Sequence, residues 1–227
     1  MTTLHAAPLY ASVILDVDST VAGLEGIDWL ARQRGEDVAA AVRELTEASM
    51  DGRIPLDEVY GSRLDVIRPS LADLRRLGAE YLKHVAPGVR EAIQRMREAG
   101  VRVVFVSGGL RQAILPLVQS LGAGPDDLHA VTVILDENGD YLDFDRTSPL
   151  TTQAGKRDAV ASLSLPRPSL MVGDGATDLA ARDAVDAFAA FTGFVRRRPV
   201  VDAADLVVES FDRLLDLVFG VENGERP

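Results

Sequence analysis

The chain has 227 residues, 47% hydrophobic and 26% charged, which supports one sizeable core and is not the composition of a disordered segment. Its net charge of −11 argues against a nucleic-acid partner, whose phosphate backbone needs a positive footprint. The absence of cysteine excludes disulfides, thiolate metal sites and cysteine nucleophiles, and three scattered histidines (His5, His84, His129) argue against a histidine metal site or a Ser–His–Asp triad.

The opening M-T-T-L-H-A-A-P-L-Y has neither the charged start nor the apolar run of a signal peptide, and no apolar stretch approaches membrane-spanning length. The expectation is a cytoplasmic protein with no membrane partner. The run Val13-Ile14-Leu15 reads as a buried strand that stops at Asp16 and Asp18, within D-V-D-S-T. Alternate residues of a strand share a face, so both carboxylates can reach one pocket. Two carboxylates that close need a cation, a donor network or a shared proton. A polar turn with aspartates at its corners is the other reading of the same residues.

From Ile27 to about Glu80 the pattern turns helical, with breaks at Gly35, at Gly52 to Pro55 and at Arg68-Pro69-Ser70. Ser70 with Asp73 has the form of a capping box. The strand pattern resumes after Pro87-Gly88: a helix from Val89 to Ala99 ends at Gly100, a strand spans Val101 to Val106, and Ser107-Gly108-Gly109 precedes a helix to about Leu121. One strand is expected near Ala130 to Leu135, and Asn138-Gly139 between extended segments signals a hairpin. Lys156 opens a helix through Leu163, the strand Ser169 to Val172 closes on G-D-G-A-T-D, and apolar runs at Ala187 to Phe191 and Leu206 to Val208 follow. The tail from Glu222 to Pro227 is polar, and fraying is expected there. Strand–helix alternation predicts an α/β fold with a parallel sheet covered by helices on both faces. In such sheets ligands bind beyond the carboxyl ends of the strands, where the polar motif residues fall.

Each motif has a chemical and a plainer reading. Asp16 can serve as a carboxylate nucleophile, and Asp18, two residues on, as a proton donor and acceptor. Asp174 brings another carboxylate, and an all-oxygen donor set suits a hard cation such as magnesium. Alternatively, G-D-G-A-T-D is a glycine-rich turn in which Thr177 or Asp178 caps a helix. Ser107 and the amides after it can approach a phosphate closely, or Ser107 caps the next helix; both readings are compatible. Glu25 and Arg63 suit an ammonium and a carboxylate respectively, or favour a helix start and sit on the surface.

Taken in order, D-V-D-S-T, S-G-G, Lys156 and G-D-G-A-T-D resemble the four motifs of the haloacid dehalogenase superfamily of phosphatases. The phrases V-A-G-L-E-G-I-D (21–28) and S-R-L-D-V-I-R-P (62–69) are similar to its phosphoserine phosphatases, and the resemblance runs from about Val13 to about Val200. It implies a Rossmann-like core from residues 1–20 and 85–227 with an inserted helical cap, 21–84, that sets substrate specificity. It further implies Asp16 as nucleophile, Asp18 as acid/base, and Ser107 and Lys156 as catalytic partners. Magnesium would be held by Asp16, the Asp18 carbonyl and Asp174, with Asp178 as ligand or support. Substrate contacts would come from Glu25, Met50, Arg63, Gly108, Gly109, Thr177 and Arg197. The implied reaction is hydrolysis of O-phosphoserine, the last step of serine biosynthesis, by a monomer or homodimer. A phosphotransferase passing phosphate to an alcohol such as homoserine is the alternative within the superfamily. The sequence departs from the pattern at Thr177, where many members carry Asn, and at Gly193, where a double glycine is common.

Overall fold

The computed structural model describes residues 7–50 and 56–221, without the side chains of 46–50 and 56. Its elements in chain order begin with β1 (Ser12–Leu15), α1 (Gly26–Gln33), α2 (Glu36–Met50), α3 (Leu56–Ile67), α4 (Leu71–Lys83) and α5 (Val89–Glu98). The middle of the chain holds β2 (Arg102–Leu110), α6 (Arg111–Ser120), β3 (Leu128–Val131), β4 (Val133–Leu135) and β5 (Tyr141–Phe144). It closes with α7 (Gly155–Ser162), β6 (Ser169–Gly173), α8 (Ala176–Ala180), β7 (Ala187–Phe191), α9 (Arg198–Ala203), β8 (Leu206–Val208) and α10 (Phe211–Val218). Among the described residues no helix is long and apolar enough to cross a membrane.

The main sheet has six strands in the order β3-β2-β1-β6-β7-β8, and every pairing is parallel. Val13, Ile14 and Leu15 are fully buried, as a central parallel strand covered on both faces requires, and this is why β1 reads as an unbroken apolar run. In register, Leu15 lies opposite Phe105 of β2 and Val172 of β6. The three strands therefore reach the same edge together: Asp16 is one residue beyond that line, Ser107 and Asp174 two. The chain leaves β1 toward β2 and returns on its other side as β6, which makes this edge the topological switch point.

The structure corrects two boundaries. The single strand expected over residues 130–135 is two: β3 pairs with β2, and β4 turns away to pair antiparallel with β5. Gln112 fixes the departure, its side chain accepting from the Val133 amide at 3.0 Å and donating to the Val133 carbonyl at 2.5 Å. The β4–β5 connection is the expected hairpin, closed by the Gly139 amide on the Asp136 carbonyl with Gly139 at φ +84°. The second correction concerns Ser107-Gly108-Gly109, which does not turn into a helix. Strand β2 runs through it to Leu110, and Leu110 rather than Ser107 is the N-cap of α6.

Helices α1, α3 and α4 are tied together at one buried carboxylate. Asp73 in the first turn of α4 completes a capping box with Ser70 and pairs with Arg34 and Arg76. Arg34, at the end of α1, also donates to the carbonyls of Ile67 and Arg68 at the end of α3. The hairpin braces the same region: Gly139 accepts from the Leu71 amide, Arg68 donates to the Tyr141 carbonyl, and Phe144 packs on Tyr60 with ring centroids 5.4 Å apart. Helix α4 packs along α6 of the core, where the bare Gly78 allows close approach to the Ala113 carbonyl.

Although burial alone would raise the Asp73 carboxyl, hydrogen bonds from Arg34, Ser70 and Arg76 hold it well below the usual carboxylate range. A depressed carboxyl stabilises the fold above the pKa of the unfolded chain, about 3.9, and loses that contribution as pH falls toward the folded value. Asp73→Asn is expected to lower unfolding stability by about 2 kcal/mol at pH 7. In urea titrations the gap to wild type should shrink steadily below about pH 4.

Candidate active site

At the carboxyl end of β1 the chain makes a compact turn. The Val17 carbonyl accepts from the amides of Thr20, Val21 and Ala22, and Ser19 sits in the left-handed region at φ 53°. A non-glycine residue held there is a local strain of the kind found at functional turns. The turn aims Asp16 inward, where it is 4% exposed, and leaves Asp18 partly buried above it.

Lys156 is the hub. Its ammonium donates to Asp16 Oδ1 at 2.5 Å and to Asp178 Oδ1 at 2.5 Å, with all three side chains almost wholly buried. Helix α7 delivers it from a tight turn: a Cβ on Gly155 would stand 1.8 Å from the Pro149 carbonyl oxygen, so only glycine fits before the lysine. The other oxygen of Asp178 accepts from the Gly175 amide at 2.8 Å. Asp178 thus caps α8 and anchors Lys156 together, joining both readings of that residue. The N-cap position itself is Gly175, and Thr177 is half-buried in the first turn of α8.

Asp16, Asp174 and Asp178 offer oxygens that lie within 4.8 Å of one another. Asp174 Oδ2 accepts from Arg197 Nε at 2.9 Å, and Arg197 Nη2 stands 3.5 Å from Glu25 Oε1. Of the three basic residues 196–198, Arg197 is the one in the site; Arg198 is exposed and pairs with Asp202 at 3.5 Å. Glu25 also accepts from the Ser19 hydroxyl at 2.7 Å, so it belongs to the same cluster.

The electrostatics follow. Burial first and Asp178 next push Asp16 well above the carboxylate range, against the pull of Lys156. Burial and then Asp178 raise Asp174 to about 6, opposed by Arg197. Burial tends to lower Lys156, but Asp16 and Asp178 outweigh it and hold the ammonium charged. Three converging carboxylates are thus faced by one ammonium and one guanidinium, a balance that favours a further cation. Asp16 Oδ2 and Asp174 Oδ1 have no partner among the described hydrogen bonds and are the oxygens placed to take it. An oxygen-only donor set fits a hard divalent ion.

The helical segment reaches this edge through two tyrosines that the sequence reading did not single out. Tyr81 of α4 donates to Asp18 Oδ1 at 2.5 Å, and the Gly26 amide donates to Asp18 Oδ2 at 3.3 Å. Burial, then Glu25, raise Asp18 to about 7 despite those two bonds. Tyr60 of α3 donates to the Gly108 carbonyl at 2.8 Å, and the Arg63 guanidinium lies 5.8 Å from the centre of its ring. Arg63 thus lies next to the tyrosine that bonds Gly108, and within that strand segment the Ser107 hydroxyl accepts from the Gly109 amide at 3.0 Å. Tyr81 did leave a signal. With Leu74 and Leu77 it forms the buried stripe of α4, and a hydroxyl on such a stripe needs a partner. The side chain of Met50 lies outside the described residues.

With this geometry in view, comparison with known proteins is informative. The model of haloacid dehalogenase-like hydrolases matches residues 13–182, three quarters of the chain and every motif above. The chain belongs to that family. Within the haloacid dehalogenase-like hydrolases it is 38% identical over 207 residues to phosphoserine phosphatase of Rattus norvegicus, covering 90% of this chain and 91% of that protein. It is 34% identical over 210 residues to the chloroplastic phosphoserine phosphatase of Arabidopsis thaliana, covering 90% of this chain and 70% of that one. Among solved folds, a phosphoserine phosphohydrolase-like protein from Francisella tularensis superposes with a TM-score of 0.80 at 21% identity, over 91% of this chain and 99% of that one. A substrate-bound phosphoserine phosphatase superposes with a TM-score of 0.75 at 22% identity, over 91% and 96% of the two chains. These two establish the fold: the Rossmann-like α/β core expected from the strand–helix pattern.

Removing one member of a buried ion cluster leaves its partners charged and unpaired. Lys156→Met is expected to cost about 3 kcal/mol of unfolding free energy in the absence of divalent cations, measured by urea denaturation. A loss below about 1 kcal/mol, typical of surface pairs, would contradict this account.

Proposed function

We propose that the chain hydrolyses O-phosphoserine to serine and inorganic phosphate through an aspartyl-phosphate on Asp16. The observation that carries this reading is the meeting of Asp16, Lys156, Asp178 and Asp174 at the carboxyl ends of adjacent strands, with Asp18 held directly above. The relatives at 34–38% identity supply the substrate class, since those proteins are phosphoserine phosphatases.

In the first step an Asp16 oxygen bonds to phosphorus as the bond to the serine oxygen breaks, and the departing oxygen takes a proton from Asp18. In the second, Asp18 accepts a proton from water, the water oxygen bonds to phosphorus, and the bond to Asp16 breaks to release phosphate. A carboxyl raised to about 7 suits both duties, because a group whose pKa is near the working pH gives and takes protons with comparable ease. Lys156 keeps the nucleophile oriented and offsets negative charge on the transferring group. The cation of this reading is Mg2+, held by Asp16, Asp174 and the Asp18 carbonyl, with Asp178 supporting through Lys156. When bound it supplies positive charge to the phosphoryl oxygens. The Ser107 hydroxyl and the Gly108 amide bind those oxygens as well, while the Gly109 amide holds the Ser107 hydroxyl in place.

For the serine portion we assign Glu25 to the ammonium and Arg63 to the carboxylate. The 45% exposure of the Glu25 side chain and the position of Arg63 on α3, 5.8 Å from the ring centre of the tyrosine that bonds Gly108, support this. Arg197, which bridges Asp174 and Glu25, and Thr177 line the entrance. Residues 21–84 act as the cap that carries specificity, and Met50 is assigned an apolar substrate contact on the resemblance alone.

Phosphate release tests the reading, with phosphoserine, phosphothreonine, phosphohomoserine and sugar phosphates as substrates, with magnesium or excess chelator, and with homoserine added as acceptor. Expected are a marked preference for phosphoserine, loss of turnover on chelation, and free phosphate as product whether or not homoserine is present. Asp16→Asn should lower kcat by about 10³-fold or more. Glu25→Gln and Arg63→Leu should each raise KM by about tenfold or more, the worth of a charge-assisted contact. Turnover of other esters alone would sink the assignments of Glu25 and Arg63, and no turnover of any ester would sink the reading as a whole.

A further inference from the structure

We infer that Tyr81 is a positioning residue for Asp18: its hydroxyl on one oxygen, with the Gly26 amide on the other, fixes the orientation of the carboxyl group that exchanges protons with substrate and water. The inference rests on the phosphatase reading above and adds a residue to it.

The geometry is specific. The Tyr81 side chain is fully buried, and its hydroxyl donates to Asp18 Oδ1 at 2.5 Å. A phenol has a single proton to give, and here it points at Oδ1. As the ester P–O bond breaks, the electron pair stays with the serine oxygen, and that oxygen takes the proton of the Asp18 carboxyl. As water attacks the aspartyl-phosphate and the bond to Asp16 breaks, the Asp18 carboxylate recovers a proton from the water. Tyr81 keeps its own proton throughout, and its bond to Oδ1 stabilises the carboxylate between the two steps.

A purely structural role does not account for the hydroxyl. Phenylalanine would fill the same space between α4 and α6 without burying a polar atom, whose desolvation is unfavourable unless it is bonded. The surroundings are also shaped around the oxygen. A Cβ on Gly26 would stand 2.2 Å from Tyr81 Oη, and one on Gly109 would stand 3.5 Å from it. Gly26 thus leaves room for the hydroxyl while its amide takes the second oxygen of the same carboxyl, at 3.3 Å. Asp18 is held from two sides by residues 8 and 63 positions away in sequence.

The test compares wild type and Tyr81→Phe, with magnesium, on O-phosphoserine and on p-nitrophenyl phosphate or acetyl phosphate. The alkoxide of serine needs a proton to depart, whereas p-nitrophenolate and acetate leave with far less help from an acid. Because kcat/KM covers steps only through formation of the aspartyl-phosphate, it isolates this difference. Tyr81→Phe is expected to lower kcat/KM on phosphoserine by about tenfold or more, a fraction of what general acid catalysis contributes. KM should stay within about twofold, and the loss on the activated phosphate should be several-fold smaller. Gly26→Ala, whose methyl would displace the hydroxyl, should shift selectivity in the same direction. Equal losses on both substrates, or a change under about twofold on phosphoserine, would overturn the inference, and melting temperatures recorded alongside would identify a folding defect behind an equal loss. A wild-type protein that hydrolyses neither ester would instead overturn the proposed function.

Discussion

An ammonium group between two buried carboxylates is costly to assemble, because each ion gives up its water before the pair recovers the energy. Lys156 with Asp16 and Asp178 is such an arrangement, and much of the active edge exists to make it geometrically possible. Gly155 lets the start of α7 press against the Pro149 carbonyl. Gly173 leaves the end of β6 bare where a Cβ would lie 2.2 Å from Asp178 Cγ. The Gly175 amide takes the remaining oxygen of Asp178, so that this carboxylate is satisfied at both ends. With Asp178 spent on Lys156 and on capping, the open valences of the cluster fall to Asp16 and Asp174, the pair that flanks the boundary between β1 and β6. Charge balance thereby separates carboxylates that hold the site from those left to bind and react.

Much of this was legible in the sequence, for a physical reason. A parallel strand buried on both faces must be a continuous apolar run, so β1, β6 and β7 announced themselves, and the polar residues that ended those runs marked the active edge. Helix ends were legible where the backbone imposed a residue type: Gly100 at φ +82° after α5, and the Ser70–Asp73 box before α4. What stayed hidden depends on partners distant in the chain. The division of residues 128–135 between two sheets is decided by Gln112, which periodicity within the strand does not see. Ser107-Gly108-Gly109 looks like a turn because glycine-rich segments usually are one, yet parallel pairing between Leu110 and Val131 carries the strand through it. The choice of Arg197 over its neighbours depends on which side chain faces Asp174, a property of the loop after β7.

The same distinction explains why Tyr60 and Tyr81 were not singled out in the sequence, although Glu25 and Arg63 of the same helical segment were. Asp16 and Asp174 stand just beyond strand ends, where an apolar run gives way to polar residues, and Lys156 in the first turn of a helix. Tyr60 and Tyr81 stand on helix faces where an aromatic ring is ordinary packing, and only the hydroxyl distinguishes them. Their roles arise from hydrogen bonds spanning 48 and 63 residues.

Those two bonds give the helical segment a direct hold on the reacting groups. Tyr60 grips the Gly108 carbonyl within β2, while Arg63 lies over its ring. Tyr81 grips Asp18 itself. The two helices have different neighbours: α4 is packed along α6 and clamped through Asp73, whereas α3 packs on α2 and on the β4–β5 hairpin, with its end held by Arg34. In the proposed reading, α3 thus carries the recognition group Arg63 and α4 carries the tyrosine that orients Asp18, although both belong to the same insertion after β1.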